Sequence, residues 1–422
     1  LLMKKNFLYK SIKNEWQKFH SKKTNKKIKL HEPTFGVEEI FNFTKQLITT
    51  NVTMGKQVES FEKNICDKFG FRYAVSSNSG SSANLLMISA LMSNLYSKRL
   101  KKNDEIIVPA LAWSTSIFPL TQYGLKPVFV DCDLKTMNID INQVKKAISK
   151  KTKGILIIPI YGNPCEMNEI TKICKKKGLV LLEDTCESMG AKYNNKFLGG
   201  FGLASSFSFY FSHHITCLEG GITVTNDYEL AEIMKIIRSH GWIRNVKEKE
   251  KWIKNYPKID PNFLFVNEGY NLRLTEPQAR MGMTQIKKLD GFIKKRRKNA
   301  DYLMSLMKEF SDFFIYQYET KRSFHTWFGF TIIIKDLKII DRGRLCNFLN
   351  KNGIETRVIV SGNFTSQPVV KTFKHRTVGN LENASKIMNN GFSIGIHQNL
   401  GNNEIKYIYN IFKKFLKRES LL

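Results

Sequence analysis

The 422-residue sequence contains no run of about 18 apolar residues, the length a helix needs to cross a bilayer. Its opening, LLMKKNFLYKSIKNEW, lacks an apolar core and a small-residue cleavage site, so a cytoplasmic protein without a transmembrane segment is expected. Cysteine is sparse and scattered over Cys66, Cys132, Cys165, Cys174, Cys186, Cys217 and Cys346, with no C-x-C or C-x-x-C pair. Reduced structural thiols are expected, and no zinc or iron-sulfur site. Neither a Walker A sequence nor a G-x-G-x-x-G turn is present, which removes the usual sequence support for ATP hydrolysis and nicotinamide chemistry. No internal repeat or low-complexity linker is visible.

Acidic residues are also in short supply, with 37 Asp and Glu against 67 Lys and Arg for a net charge of +30. Such a field favours anionic partners. The lysines, however, spread along helix faces, as in TKICKKKG, and are not interleaved with aromatics, so no nucleic-acid partner is expected. The densest basic stretch is residues 1–29, where ten lysines meet only Glu15. Residues 1–35 read as a basic N-terminal arm, either solvated or folded as an amphipathic surface helix.

What is present in quantity is short apolar runs alternating with helical periodicity. DEIIVPA, KPVFVDCD, KGILIIPIYG, GLVLLEDTCE and SSFSFYFS read as buried strands bounded by turn residues. DINQVKKAISKK and EMNEITKICKKKG between them have helical spacing, which predicts an α/β layer with a mostly parallel central sheet and helices on both faces. Residues 36–289 are expected to form this large domain. WFGFTIIIKD, RGRLCNFLNKNG and IETRVIV predict a smaller C-terminal α+β domain over 290–422.

In an open parallel sheet the ligand crevice lies at the carboxyl ends of the strands. There stand Glu183 and Asp184, one a candidate buried anion, with N-capping of a following helix the plainer role for Asp184. Trp113 follows another strand and offers a flat face, and Ser208 ends a third. SGSSANLLMISALM opens a helix on Gly80, Ser81 and Ser82, whose first-turn N–H groups suit a phosphate, although a serine-rich cap is common in helices that bind nothing. An aromatic plate, an anion and a phosphate cup are what pyridoxal phosphate requires, because a carboxylate on the pyridine nitrogen supports its role as an electron sink. His213 and His214 in FSHHITCLEGG are candidate acid/base groups or packing residues. As a metal pair they lack companions, and neighbours in an extended segment point apart. Glu219-Gly220-Gly221 reads as a turn or as a close backbone approach to the site.

Taken in order, TMGKQVESFEKNICDKFG, NSGSSANLL, PALAWSTS, QYGLKPVFVDCD, LLEDTCESMGA, SFYFSHHITCLEGG, GYNLRLTEPQA and NGIETRVIVSGN resemble the DegT/DnrJ/EryC1/StrS sugar aminotransferase family, whose members have the fold-type I architecture of PLP-dependent transferases. The resemblance runs from Thr53 to Asn363. It implies that Asp184 pairs with the pyridinium nitrogen, Glu187 approaches the ring hydroxyl and Trp113 stacks on the ring. It also implies that Ser81, Ser82 and Ser208 hold the phosphate, joined by Asn271 from the other subunit of a homodimer. Arg357, Asn363 and His397 are implied near the substrate, and a surface ion pair is the alternative for Arg357.

One position departs from the family. Most members carry SFxxxK, whose lysine binds the cofactor as a Schiff base, and here SFYFSH puts His213 in that place. An imidazole cannot form that tether, but it can move a proton near neutrality. The exchange marks the 3-dehydratase branch of the family, which deoxygenates a nucleotide-linked 4-keto-6-deoxyhexose. No cysteine lies between Cys217 and Cys346, so the branch without an iron-sulfur cluster is implied, with a GDP-linked sugar as substrate and L-glutamate regenerating pyridoxamine phosphate. A sugar aminotransferase working through another lysine, or a basic binding protein on the same scaffold, are the competing readings. His213→Lys is expected to create a borohydride-reducible link to the cofactor, located by peptide mass mapping, with loss of dehydration.

Overall fold

The computed structural model describes residues 7–20 and 27–422. The five apolar runs have too little polar surface to face water on either side, and all enter one eight-stranded sheet. Its order is Tyr73–Ser77, Gly221–Thr225, Ala204–Ser208, Val180–Asp184, Thr152–Ile157, Glu105–Pro109, Lys126–Val130 and Arg376–Thr377. Neighbours run parallel except Gly221–Thr225, which is antiparallel to both of its partners.

Parallel strands need crossover connections, and these supply the flanking helices. Ile106 and Val108 pack on one face against Leu86, Met87, Ile117 and Leu120 of the helices Gly80–Met92 and Ser114–Gln122. Ile107 turns to the other face and joins Val144, Ala147 and Ile170 of Ile141–Ala147 and Met167–Lys177. The helix Gly80–Met92 is apolar on nearly every side, as an interior helix must be. It is buried from Gly80 to Leu91 at all but a few positions.

Beyond Leu289–Met307 the chain forms a four-stranded antiparallel sheet, ordered Phe314–Tyr316, Phe330–Ile334, Gly391–Ile394 and Thr356–Arg357. Leu303, Leu349, Ile408 and Phe412 cover it from three helices. The strand Arg376–Thr377 returns to the edge of the large sheet, where Arg376 Nη2 pairs with Glu105 Oε2 at 2.7 Å. Ile333, Ile359 and Phe364 complete the core of the large sheet. Cavity walls can therefore be drawn from both parts of the chain.

Of the basic arm, residues 1–6 and 21–26 lie outside the described residues. Phe7–His20 is a surface helix and not a solvated strand of chain, because Tyr9 and Trp16 meet Phe41 and Phe35 at ring centroid distances of 5.6 and 6.2 Å. Ile28 then enters the core of the antiparallel sheet.

The Glu219-Gly220-Gly221 turn is also a close approach of backbones. A Cβ on Gly221 would lie 2.1 Å from the Ser79 carbonyl oxygen, which is backbone and cannot step aside. Gly221→Ala is expected to destabilise the fold by about 1–3 kcal/mol through this overlap, seen as a lower urea midpoint at unchanged m-value.

Candidate active site

Five strand ends converge on a cavity of about 330 Å³. Ser79, Gly80 and Ser81 follow Tyr73–Ser77, and Trp113 follows Glu105–Pro109. Pro159 and Tyr161 follow Thr152–Ile157, while Asp184, Cys186 and Glu187 close Val180–Asp184. Ser208, Tyr210 and His213 come from the end of Ala204–Ser208. Phe328 and Arg357 reach in from the C-terminal part of the chain.

Strand alternation separates the two carboxylates that the sequence places side by side. Glu183 faces the opposite side and accepts from the backbone N–H groups of Gly199, Phe201 and Gly202 at 2.9, 2.8 and 2.7 Å. Asp184 faces the cavity, where it accepts from Asn84 Nδ2 at 2.8 Å, Ser116 Oγ at 2.5 Å and Cys186 N at 3.2 Å. Turns follow Asp184, so there is no helix for it to cap.

At the helix Gly80–Met92 the Ser79 hydroxyl accepts from Ser82 N at 3.0 Å. The N–H groups of Gly80 and Ser81 are left without a hydrogen-bond partner among the described residues, at the positive end of the helix dipole. A Cβ on Gly80 would lie 2.5 Å from Ser208 Cβ, so glycine lets Ser208 close against this first turn. Ser82 points inward to Ser79, 3.0 Å between hydroxyls, and does not line the cavity.

The adjacent histidines diverge. His214 is fully buried and donates from Nε2 to the Thr326 carbonyl at 3.1 Å. His213 lines the cavity with Phe328 at a ring centroid distance of 5.0 Å, and its buried Nδ1 has no partner. Desolvation, with Arg296, His31 and Arg357 adding positive charge, pushes the His213 imidazole down to about 3. Glu187 moves the other way. Desolvation and the neighbouring Asp184 push it up to about 7, against the pull of Arg357 and the Tyr161 N–H. The Arg357 guanidinium stands 5.9 Å from the Trp113 ring centroid.

Three further candidates lie away from this cavity. Asn363 is buried, donating to Ser385 Oγ at 3.0 Å and accepting from Thr365 N at 3.1 Å. His397 is buried, with Nδ1 accepting from Asn399 N at 3.3 Å. Asn271 is exposed on the strand-like segment that bridges to Ser239. Conversely, Asn84, Ser116, Tyr161 and Phe328 enter the site without having been singled out. Asn84 carried a readable signal, a buried amide in an otherwise apolar helix. Phe328 carried none.

This set fits a phosphorylated pyridine. Unpaired helix N–H groups and Ser208 suit the phosphate, Asp184 the ring nitrogen and Trp113 the ring face, and His213 lines the same cavity with its buried Nδ1 unpartnered.

The chain matches the DegT/DnrJ/EryC1/StrS aminotransferase family over residues 33–413. It is 45% identical over 366 residues to GDP-4-keto-6-deoxy-D-mannose 3-dehydratase from Escherichia coli O55:H7, covering 86% of this chain and 93% of that one. It also resembles the crystal structure of a GDP-4-keto-6-deoxymannose-3-dehydratase histidine-to-asparagine mutant with bound GDP-perosamine, with a TM-score of 0.87 and 43% identity over 91% of this chain and 99% of that one. A structure of the same kind of enzyme with a trapped PLP-glutamate geminal diamine matches at a TM-score of 0.84 and 41% identity, covering 90% of this chain and 99% of that one.

Because the folded protein holds a proton on Glu187 more tightly than the unfolded chain does, the stability this group contributes is full below its ordinary value of 4.5 and is lost as pH rises through about 7. Glu187→Gln is therefore expected to flatten the fall in stability of the cofactor-free protein across that window, measured by urea unfolding. Equal slopes for the two proteins would disprove this account of Glu187.

Proposed function

The chain belongs to the DegT/DnrJ/EryC1/StrS aminotransferase family, and from that premise we propose that it is a PLP/PMP-dependent 3-dehydratase of a nucleotide-linked 4-keto-6-deoxyhexose. The product is a 4-keto-3,6-dideoxyhexose for surface polysaccharide synthesis. The observation that carries this reading is His213, which stands where the family's lysine would be and faces the cavity with an unpartnered Nδ1.

Pyridoxamine phosphate, when bound, supplies the amine that meets the C4 ketone and the ring that takes up electrons released at C4′. The chain's part is to hold and to move protons. The N–H groups of Gly80 and Ser81, with Ser208, bind the phosphate; Asp184 keeps the pyridine nitrogen protonated; Trp113 covers the ring. Ser82 supports this cup through Ser79. Glu187, its carboxyl held near 7, would serve the ring hydroxyl as a proton partner.

His213 is neutral at pH 7 and so is ready to accept the C4′ proton as a base. An anionic phosphate in the cavity raises its proton affinity toward the range where transfer is efficient. The bound group would supply the electron flow that expels the C3 hydroxyl as water, and hydrolysis would release ammonia. L-glutamate would restore the amine, with His213 moving the proton in the reverse sense and 2-oxoglutarate left. Arg357 is suited to the glutamate carboxylate or to the sugar nucleotide's diphosphate.

In this reading residues 36–289 hold the cofactor, and residues 290–422 bring Phe328 and Arg357 to the sugar side. A GDP-linked sugar is the favoured substrate, as the names of the relatives suggest. A homodimer with Asn271 of the partner subunit completing the phosphate cup accounts for the exposure of that residue in one chain. The protein is placed in the cytoplasm, where nucleotide sugars are made. None of the helices among the described residues is long and apolar enough to cross a membrane.

The test supplies pyridoxamine phosphate, L-glutamate and GDP-, CDP- and dTDP-linked 4-keto-6-deoxyhexoses to the purified protein. The GDP sugar is expected to lose water, with ammonia and 2-oxoglutarate formed, and His213→Asn to lower turnover by about 100-fold or more. An amino sugar that keeps its C3 hydroxyl, or a lysine linked to the cofactor after borohydride, would overturn the proposal.

A further inference from the structure

The turn that carries Phe328 to the cavity contains Trp327 at φ 50°, a left-handed conformation that a bulky side chain adopts only when its surroundings impose it. The surroundings do so at every backbone polar group. Thr326 N and Phe328 N donate to the carbonyls of Gly162 and Tyr161 at 3.2 and 2.8 Å. Trp327 N donates to His325 Nδ1 at 3.0 Å, and the Thr326 carbonyl accepts from His214. The carbonyls of Trp327 and Phe328 both accept from Arg296 Nη1, at 3.2 Å each.

Arg296 is unusual in its own right. It projects from the helix Leu289–Met307, is 1% exposed, and has no carboxylate partner among the described residues. A buried guanidinium without a counter-ion is costly to the fold, and backbone carbonyl dipoles compensate it only in part. Its placement is explained by what the turn holds. The Phe328 ring packs on His213 and on His214, with centroids 5.0 and 5.8 Å away.

We propose that Arg296 is a positioning residue for His213, clamping the turn Thr326–Phe328 so that the Phe328 ring sets the imidazole against the cavity. The inference rests on the reading of His213 as the proton-transfer group. The charge of Arg296 also bears on His213, because a cation behind the imidazole disfavours the imidazolium. The other groups facing His213 come from separate elements: His31 from the N-terminal segment, Arg357 from the antiparallel sheet, His214 beside it, and Asp184 and Glu187 across the cavity. His31 and Arg357 reinforce Arg296.

The test follows ¹³C-labelled histidine signals of the full-length, cofactor-free protein by NMR as pH is varied, with the His213 signal identified by its loss in His213→Asn. Arg296→Met is expected to raise the His213 midpoint by about one pH unit or more, whereas Arg296→Lys, which keeps the charge, stays nearer the unaltered protein. Both are expected to lower kcat with little change in KM for glutamate, since Arg296 touches no substrate. Phe328→Ala, which leaves the buried charge alone, is expected to shift the His213 signal and lower kcat as well. A folded Arg296→Met with His213 titrating as before would overturn the proposal. If Arg296→Met does not fold, an unaltered His213 signal in both Arg296→Lys and Phe328→Ala overturns it equally. Failure of the unaltered protein to dehydrate any sugar would instead refute the functional reading, leaving the His213 titration to judge the clamp by itself.

Discussion

A carboxylate that is almost wholly buried must be hydrogen-bonded, and the way Asp184 meets that requirement organises the site. One of its donors, Asn84, belongs to the helix Gly80–Met92, whose first turn presents the unpaired N–H groups. Another, Ser116, belongs to the helix Ser114–Gln122, which begins just after Trp113. A single anion at a strand end thus ties the phosphate cup and the aromatic plate to the sheet. Asn84 is itself held through its Oδ1, which accepts from Ser206 Oγ at 2.6 Å. The network is closed on the protein side, leaving the cavity face of Asp184 for a cationic partner such as a protonated pyridine nitrogen.

Opposite this anion the structure sets a group biased the other way. Desolvation and three nearby positive or potentially positive groups hold His213 unprotonated, while Glu187, beside Asp184, is held near 7. A lysine at position 213 would meet the same desolvation and the same cations, which lower the proton affinity of an amine and so favour its attack on an aldehyde. The environment suits either side chain as a neutral base, and the imidazole differs in being unable to form the covalent link. In the proposed function, this loss of the covalent link goes with deoxygenation in place of amino transfer.

The layer architecture was legible because it rests on short-range pattern. Buried parallel strands need unbroken apolar runs, crossover helices need three-to-four-residue spacing, and both are visible in stretches such as KGILIIPIYG and DINQVKKAISKK. The helix Phe7–His20 was less legible, because it has weak apolar character until Phe35 and Phe41 supply something to pack against. Among the candidate site residues at strand ends or the helix start, Gly80, Ser81, Trp113, Asp184 and Ser208 line the cavity, whereas Ser82 turns away from it. Asn363 and His397, assigned through family likeness in the C-terminal part, are buried and do not line it.

The sequence by itself determined the α/β class, the strand ends at which chemistry gathers, and the histidine in place of lysine, since each is a property of residues within a few positions of one another. Only the tertiary structure decided which atoms meet. Asn84 and Asp184 are 100 positions apart, Ser116 and Asp184 are 68, and Arg296 and the Trp327 carbonyl are 31. No local periodicity encodes such pairs, because they follow from the crossovers that bring helix starts over one sheet edge. The clamp on Phe328 adds a left-handed turn whose conformation comes from its hydrogen-bond partners and not from its own residues.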